Sequence, residues 1–454
     1  MLFYVPHKRT PAAARSWLLL IFMFPFLGLI LYSIFGRAYL PERRLKAQKF
    51  ASGLIRTRGQ ELLGEHNVHP SVAENFTPAV RLAETLGDFG AVGGNQLELL
   101  TDYGNSIARL IADIDNARDH VHLLYYIFAN DETGRAVVEA LLRATQRGVA
   151  CRVLMDGYGS KDALRHMADQ LRRQGIEVHE TLPVRFFRRK SARFDLRNHR
   201  KIAVLDGKIA YIGSQNIVNR DFKKGIVYEE LVARVTGPVV LQLQAVFLTD
   251  YFIESETSAL PQDCFPLAET TGVIAAQALP SGPGYPHANL QNLIVSLLHA
   301  ARTRVVITTP YFIPDEAILY AMKIAVMRGV AVHLILSRTA DQILVCQAQR
   351  SYYDELLEAG VQLYLYRERL LHAKFLTFDD QVAMIGSTNL DMRSFLLNEE
   401  VVLLVYNPQA IHELQSIQER YMGASDTLTL DAWRQRSRLR QVIENTARLV
   451  DSVL

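Results

Sequence analysis

The chain has 454 residues, 49% hydrophobic and 21% charged, enough for two or three domains with a sizeable core and unlike any disordered or collagen-like composition. Net charge is only +3, so charge alone assigns no polyanionic partner. Three scattered cysteines, Cys151, Cys264 and Cys346, exclude a disulfide framework and a cysteine-rich zinc module, and suit a reducing compartment.

No residue from Trp17 to Phe35 is charged. At about 1.5 Å per residue this stretch spans about 28 Å as a helix, close to the hydrocarbon thickness of a bilayer. Trp17 and Tyr32 stand near its ends, where aromatic rings favour the interface, and Pro25 would kink it. The expectation is one transmembrane helix at about 16–36 within an anchor of residues 1–45. Lys8, Arg9 and Arg15 precede it, whereas Arg37, Arg43, Arg44, Lys46 and Lys49 follow. The heavier basic flank puts the rest of the chain on the cytoplasmic side of the inner membrane. Residues 46–94 carry no motif and read as a linker or peripheral segment.

Beyond residue 95 strands alternate with helices, an α/β pattern, and the pattern occurs twice. His120–Phe128, a helical stretch ending in Arg147-Gly148-Val149 and the strand from Cys151 match Thr303–Phe312, a helical stretch ending in Arg328-Gly329-Val330 and the strand from Val332. Two similar lobes follow, 95–260 and 261–454, divided at the connector Ser258-Ala-Leu-Pro-Gln-Asp.

Each copy closes on one polar pattern. His199, Lys201, Asp206, Gly213, Ser214 and Asn216 recur at identical offsets as His372, Lys374, Asp379, Gly386, Ser387 and Asn389. Asp206-Gly207 between two apolar runs is a two-residue hairpin signal. Histidine and lysine two apart on a strand share a face. If Leu205 pairs with Lys208, Ser214 falls opposite His199, and Ser387 likewise opposite His372. Imidazole, ammonium, hydroxyl and amide would then crowd one patch. The turn position of Asp206 and Asp379 favours a structural over a catalytic role for the pair.

These two His-Lys-Asp signatures resemble those of the phospholipase D superfamily, and from residue 16 to the end the chain resembles its bacterial cardiolipin synthases. Thr309-Pro310-Tyr311-Phe312, Leu279-Pro-Ser-Gly-Pro and Ser387-Thr-Asn389-Leu-Asp391-Met-Arg393-Ser394 add to the likeness. Such synthases often carry two N-terminal membrane helices, where one is visible here. The resemblance implies two phospholipase D-like lobes forming a pseudo-dimer, with the active site between them. The catalytic signature is His199, Lys201, Asp206, His372, Lys374 and Asp379, with Ser214, Asn216, Ser387 and Asn389 on the substrate phosphate. It further implies a carboxylate after each motif that holds the nearby imidazole by its second nitrogen, matched by Glu230 and Glu400, with Glu229 and Glu399 one residue away. Two phosphatidylglycerols would give cardiolipin and glycerol through a phosphohistidine, on His199 by likeness to other members, with His372 as acid and base. The rivals are a phospholipase D that transfers to water and a nuclease. Neither a cofactor nor a metal is implied, since lysine and histidine supply the charge. The expected partners are phosphatidylglycerol and an anionic bilayer, not nucleic acid.

Three weaker signals remain. Arg185–Arg197 interleaves basic and aromatic residues ahead of the first motif and suits an anionic lipid surface. The tail from Asp431 is arginine-rich on a helical pattern and reads as an ordinary helix packed on the second lobe, with a membrane-surface helix as the alternative. Tyr125, Tyr126, Tyr311 and Phe312 end strands near the polar patch, lining either a lipid path or the core. The other histidines read as structural.

Overall fold

The structure is a computed structural model, and it describes residues 3–5, 11–36, 40–183, 195–255 and 264–449. The connector at 258–263 and the basic-aromatic run as far as Phe194 lie outside the described residues.

The expected single helix at 16–36 does not form. Two shorter helices, Pro11–Met23 and Pro25–Phe35, fold back on each other. Proline lacks an N–H and keeps the preceding residue out of helical geometry, and Phe24 accordingly adopts φ −131° and ψ 74°. The arms meet at Gly28, where a Cβ would come within 2.7 Å of the Ile21 Cα, and at an edge-on contact of Trp17 with Tyr32. Among the described residues, no helix is long and apolar enough to cross a membrane. The hairpin leads into the polar helix Glu42–Leu63.

Each lobe is an α/β sheet with the same strand order. In the first, Val92–Leu100 is followed across the sheet by Val232–Thr236, Ile209–Gly213, Lys201–Leu205, His120–Tyr125, Ala150–Asp156 and Glu177–Thr181. In the second, Ile274–Ser281 is followed by Asn398–Val405, Val382–Gly386, Phe375–Phe378, Arg304–Thr308, Ala331–Ser337 and Gln362–Tyr366, with Ser425–Leu428 at the edge. The last three strands shared by both lobes are parallel and need helical crossovers, whereas the motif strands pair antiparallel. Val92–Leu100 pairs with a strand from each lobe, so the two sheets run together. A bulge at Gly94, with φ +82°, permits this change of partner.

Helix Val239–Ser255 is buried on nearly every side, and both lobes cover it. It belongs to a cluster that also holds Leu124, Ile202, Ala278, Ile385 and Leu403. One hydrophobic core therefore joins the lobes and fixes what stands between them.

Candidate active site

The motif hairpins set the position of every polar group. Asp206 and Gly207 both take positive φ, and the Lys208 N–H bonds the Leu205 carbonyl. Ladder pairing then begins at Leu205 with Ile209, not with Lys208, and at Phe378 with Val382 in the second copy. This shift of one residue removes Ser214 from its expected place opposite His199, and Ser387 from opposite His372. Both serines turn to the neighbouring strand. Ser214 Oγ accepts from the Leu231 N–H at 3.0 Å, and the Ser387 hydroxyl donates to Glu400.

The two imidazoles are held by carboxylates of the opposite lobes. His199 Nδ1 lies 2.9 Å from Glu400, and His372 Nδ1 lies 2.8 Å from Glu230. An ionised carboxylate only accepts, so both rings carry hydrogen on Nδ1 and keep the lone pair on Nε2. The main chain crosses in the same way. Arg197-Asn198 pairs with Asn398-Glu399, and Leu370-Leu371 pairs with Tyr228-Glu229. The His199 N–H donates to the Glu399 carbonyl, and the His372 N–H to the Glu229 carbonyl, each at 2.8 Å. Each lysine ammonium bonds the carbonyl of its own motif histidine, Lys201 at 2.6 Å and Lys374 at 2.7 Å.

Burial dominates the electrostatics. It pushes the His199 imidazole down to about 4, against Glu400 and with help from Lys201 and Lys374. His372 is likewise lowered by burial, with Glu230 and Asp341 opposing. Lys201 falls to about 7 and Lys374 to about 8, burial again leading. Burial alone would raise Glu230 and Glu400, but the adjacent imidazoles, lysines and serines hold both below the ordinary carboxylate range. Lys374 acts on His199, and both crossing glutamates act on both lysines. The motifs thus make one site. Its two imidazoles and two lysines bring hydrogen-bond donors and positive charge to one place, which suits an anionic phosphodiester.

Comparison with known proteins follows the same lines. The family profile described as cardiolipin synthase, PLD-like domain, matches residues 110–251 and 294–422, and a phospholipase D-nuclease N-terminal profile matches residues 1–37. Cardiolipin synthase A of Proteus mirabilis is 34% identical over 96% of this chain and 92% of its own length. That of Yersinia pseudotuberculosis is 36% identical over the same shares. The chain belongs to the cardiolipin synthase family. A solved phosphatidylserine synthase from Haemophilus influenzae has a TM-score of 0.64 at 17% identity, covering 83% of this chain and 100% of that one, which is a likeness of fold.

Two members of this family's His-Lys-Asp signature stand away from the site in this chain. Asp206 accepts from the backbone N–H groups of Arg118, Asp119 and His120 at 2.8–2.9 Å. Asp379 does the same for Arg302, Thr303 and Arg304. Five residues of strand, about 16 Å, separate each aspartate from its motif lysine. Both clamp the start of a neighbouring strand, which corrects their inclusion among the catalytic groups. Glu229 and Glu399 also have other partners. Glu229 pairs with Arg220 and Arg369, and Glu399 accepts from Asn198 at 2.8 Å.

Other residues near the site escaped the sequence. Arg200 is fully buried, bonds Asp250 at 2.5 Å and donates to the Glu400 carbonyl at 3.0 Å. It alternates with the motif residues, and its counterpart in the second copy is Ala373, so comparing the copies hides it. Asp341 accepts from the hydroxyls of Tyr311 and Tyr228 and from Lys223, and the rings of both tyrosines stand edge-on to His372. Tyr126 stands edge-on to His199 and lies under the Lys201 ammonium. Tyr125 and Phe312, by contrast, are buried in the core.

Among the described residues, His120, His122 and Cys264 form a group with ligand atoms within 4.8 Å of one another. Arg152 donates to His122 Nε2 at 3.0 Å and stands 3.9 Å from the Cys264 sulfur, so a guanidinium already fills the place of a cation. His120 opens its strand beside Asp206, at the opposite end from the active site.

Proposed function

We propose the following reading of the site. The chain makes cardiolipin, transferring a phosphatidyl group from one phosphatidylglycerol to the head-group hydroxyl of another and releasing glycerol. The observation that carries the reading is the crossed arrangement of His199 with Glu400 and His372 with Glu230, beside two buried lysines.

Neutral His199 attacks phosphorus through Nε2, and the leaving glycerol oxygen takes a proton from His372. The resulting phosphohistidine waits while His372, now neutral, removes the proton from the incoming hydroxyl. The second displacement restores His199. Lys201 and Lys374 bind the nonbridging oxygens, whose charge draws both amines to their cationic forms. Asn216 Oδ1 accepts from the Ile127 N–H at 3.0 Å, which leaves its amide N–H₂ to donate to the phosphate, with Asn389 in the equivalent place. Asp341 supports the division of roles. Burial lowers both imidazoles, and at His372 the Asp341 charge opposes that lowering, which favours His372 as the ring that carries the proton.

The apolar hairpin of Pro11–Phe35 enters one leaflet of the inner membrane, with both lobes on the cytoplasmic side. Leu19, Phe22, Phe26, Leu27 and Ile30 are exposed along it, a patch that water does not favour. Because the hairpin turns back, both of its flanks share one side of the membrane. Arg15, Arg43 and Lys49 then face the anionic leaflet together.

In vesicles of phosphatidylglycerol alone, the purified chain should form cardiolipin and glycerol in equal amounts. Phosphatidic acid as the main product would replace this reading with a hydrolase. A phosphatidyl group trapped on His199 by acid quench of the unaltered protein during turnover, and absent from His199→Ala, would fix the nucleophile.

A further inference from the structure

A surface helix on a globular domain normally turns its apolar face inward. Helix Arg438–Arg448 does the reverse. Its inner side sets Ala447 into the core beside a buried carboxylate: Glu444, 1% exposed, accepts from Arg350 at 2.8 Å and from Arg436 at 2.9 Å. Arg448 reaches Glu355 and lies 4.2 Å from the Tyr352 ring. Leu439, Val442 and Ile443, at spacings of three and four, line the outer side, and Leu449 follows at the helix end. Leu439 is 71% exposed, Val442 60% and Leu449 82%. Ion pairs hold the helix in a pose that keeps its apolar side out.

That side does not stand alone. The helix packs on Ile343–Arg350, whose first residues, Ile343 and Leu344, are also exposed, Ile343 at 78%. Two residues before Ile343 is Asp341, which bonds the two tyrosines beside His372. Lys223 bonds Asp341 from a loop on which Phe222 and Val227 are exposed as well. An apolar strip thus leads from the C-terminal helix to the rim of the active site. Arg438 and Arg440 flank Leu439 and are exposed, and Lys224 is exposed at the rim.

We infer that the outer face of Arg438–Arg448, with Ile343 and Leu344, rests on the anionic bilayer that supplies the substrate. Apolar side chains flanked by arginine are what an interfacial helix uses against anionic lipid. The strip ends where a lipid head group must enter. With the hairpin it forms a second point of contact, so the lobes are held with the site toward the membrane. This rests on the reading of the chain as a membrane-held lipid phosphatidyltransferase.

The test uses the full chain with Leu439→Cys in a Cys346→Ser background, carrying a polarity-sensitive fluorophore, and vesicles of equal phosphatidylglycerol and phosphatidylcholine. The control label is at Val273→Cys, an exposed site at the strand end away from the active site. Expected are flotation with the vesicles, a blue shift at 439 and none at 273. Flotation without a shift at 439 would overturn this inference and leave the hairpin anchor standing. Failure to float would overturn both. A shift at 439 that grows with protein concentration and needs no vesicles would assign the face to self-association and overturn the inference. In the unlabelled chain, Leu439→Glu with Val442→Glu should lower turnover on vesicles about fivefold or more, and less than about twofold in detergent micelles. Unchanged turnover on vesicles would also overturn it.

Discussion

At the scale of single residues, the carboxylates divide by what they hold. Glu400 and Glu230 fix the Nδ1 tautomer of an imidazole, whereas Asp206 and Asp379 collect backbone N–H groups at the far ends of the motif strands. Glu400→Gln and Glu230→Gln should therefore each cost about 10²–10⁴-fold in kcat with little change in melting temperature, because an amide supports the wrong tautomer. Asp206→Asn should do the opposite. It should lose about 1–3 kcal/mol of stability by weakening three hydrogen bonds, and retain most of its kcat when folded. Parallel thermal unfolding and steady-state kinetics separate the two classes. The lysines add a dependence on pH. Lys201 at about 7 and Lys374 at about 8 are cationic below those values and release their protons as pH rises through them. Binding of the phosphodiester to free protein should thus weaken above about pH 7 and fail above about pH 8, so kcat/KM declines from about pH 7 upward. In the complex, the bound anion raises both values, and the decline in kcat should come at higher pH. A kcat/KM flat to pH 10 would deny the lysines this role.

At the scale of elements, two short segments depart from their sequence patterns for backbone reasons. The apolar run at 17–35 has the length of a membrane helix, yet Pro25 breaks it and Gly28 lets the two arms touch. Gly28→Leu places a side chain where the Ile21 Cα stands, so the arms must part. The expected readout is a change in Trp17 fluorescence as its contact with Tyr32 is lost, together with weaker retention on vesicles. The motif hairpins depart by one residue. A two-residue turn is the local reading of Asp206-Gly207, but Lys208 stays out of the ladder and every partner moves by one. His199 and Lys201 were legible as neighbours because they share a strand. The company of Ser214 depended on a turn type that composition does not settle.

At the scale of the molecule, a continuous sheet and the buried helix Val239–Ser255 fix the two lobes against each other, and a polar cluster completes the seam. Arg200 from the first motif bonds Asp250 on that helix and reaches the Ser281 and Glu400 carbonyls of the second lobe. Asn198 bonds both Asp250 and Glu399. Arg44, from the helix after the hairpin, pairs with Glu254 on the same central helix. Arg200→Ala leaves Asp250 charged and buried, and should cost about 3–5 kcal/mol. Replacing both by apolar residues of similar size, Arg200→Met with Asp250→Leu, should restore much of that loss. Chemical denaturation of the three proteins checks this. A loss in the double variant as large as in Arg200→Ala would assign the cost to packing, not to an unpaired charge.

The sequence by itself determined the repeat, the alternation of strands and helices, and the paired motifs that carry the family likeness. It could do so because spacing along one strand is a local property: a histidine and a lysine two residues apart share a face in any sheet. The family likeness, and not any local spacing, added a carboxylate after each motif for the nearby imidazole. What the sequence did not contain is which carboxylate serves which ring. Glu230 lies 31 residues after His199 and 142 before His372, and nothing local makes the longer closure the right one. That choice came from packing. The core around Val239–Ser255 brings the ends of both sheets together, and short strand segments cross the seam to carry each glutamate to the other lobe's histidine. Arg200 and Asp341 follow the same rule. Each acts through partners distant in sequence, so each became visible only where burial removed water and made their pairing obligatory.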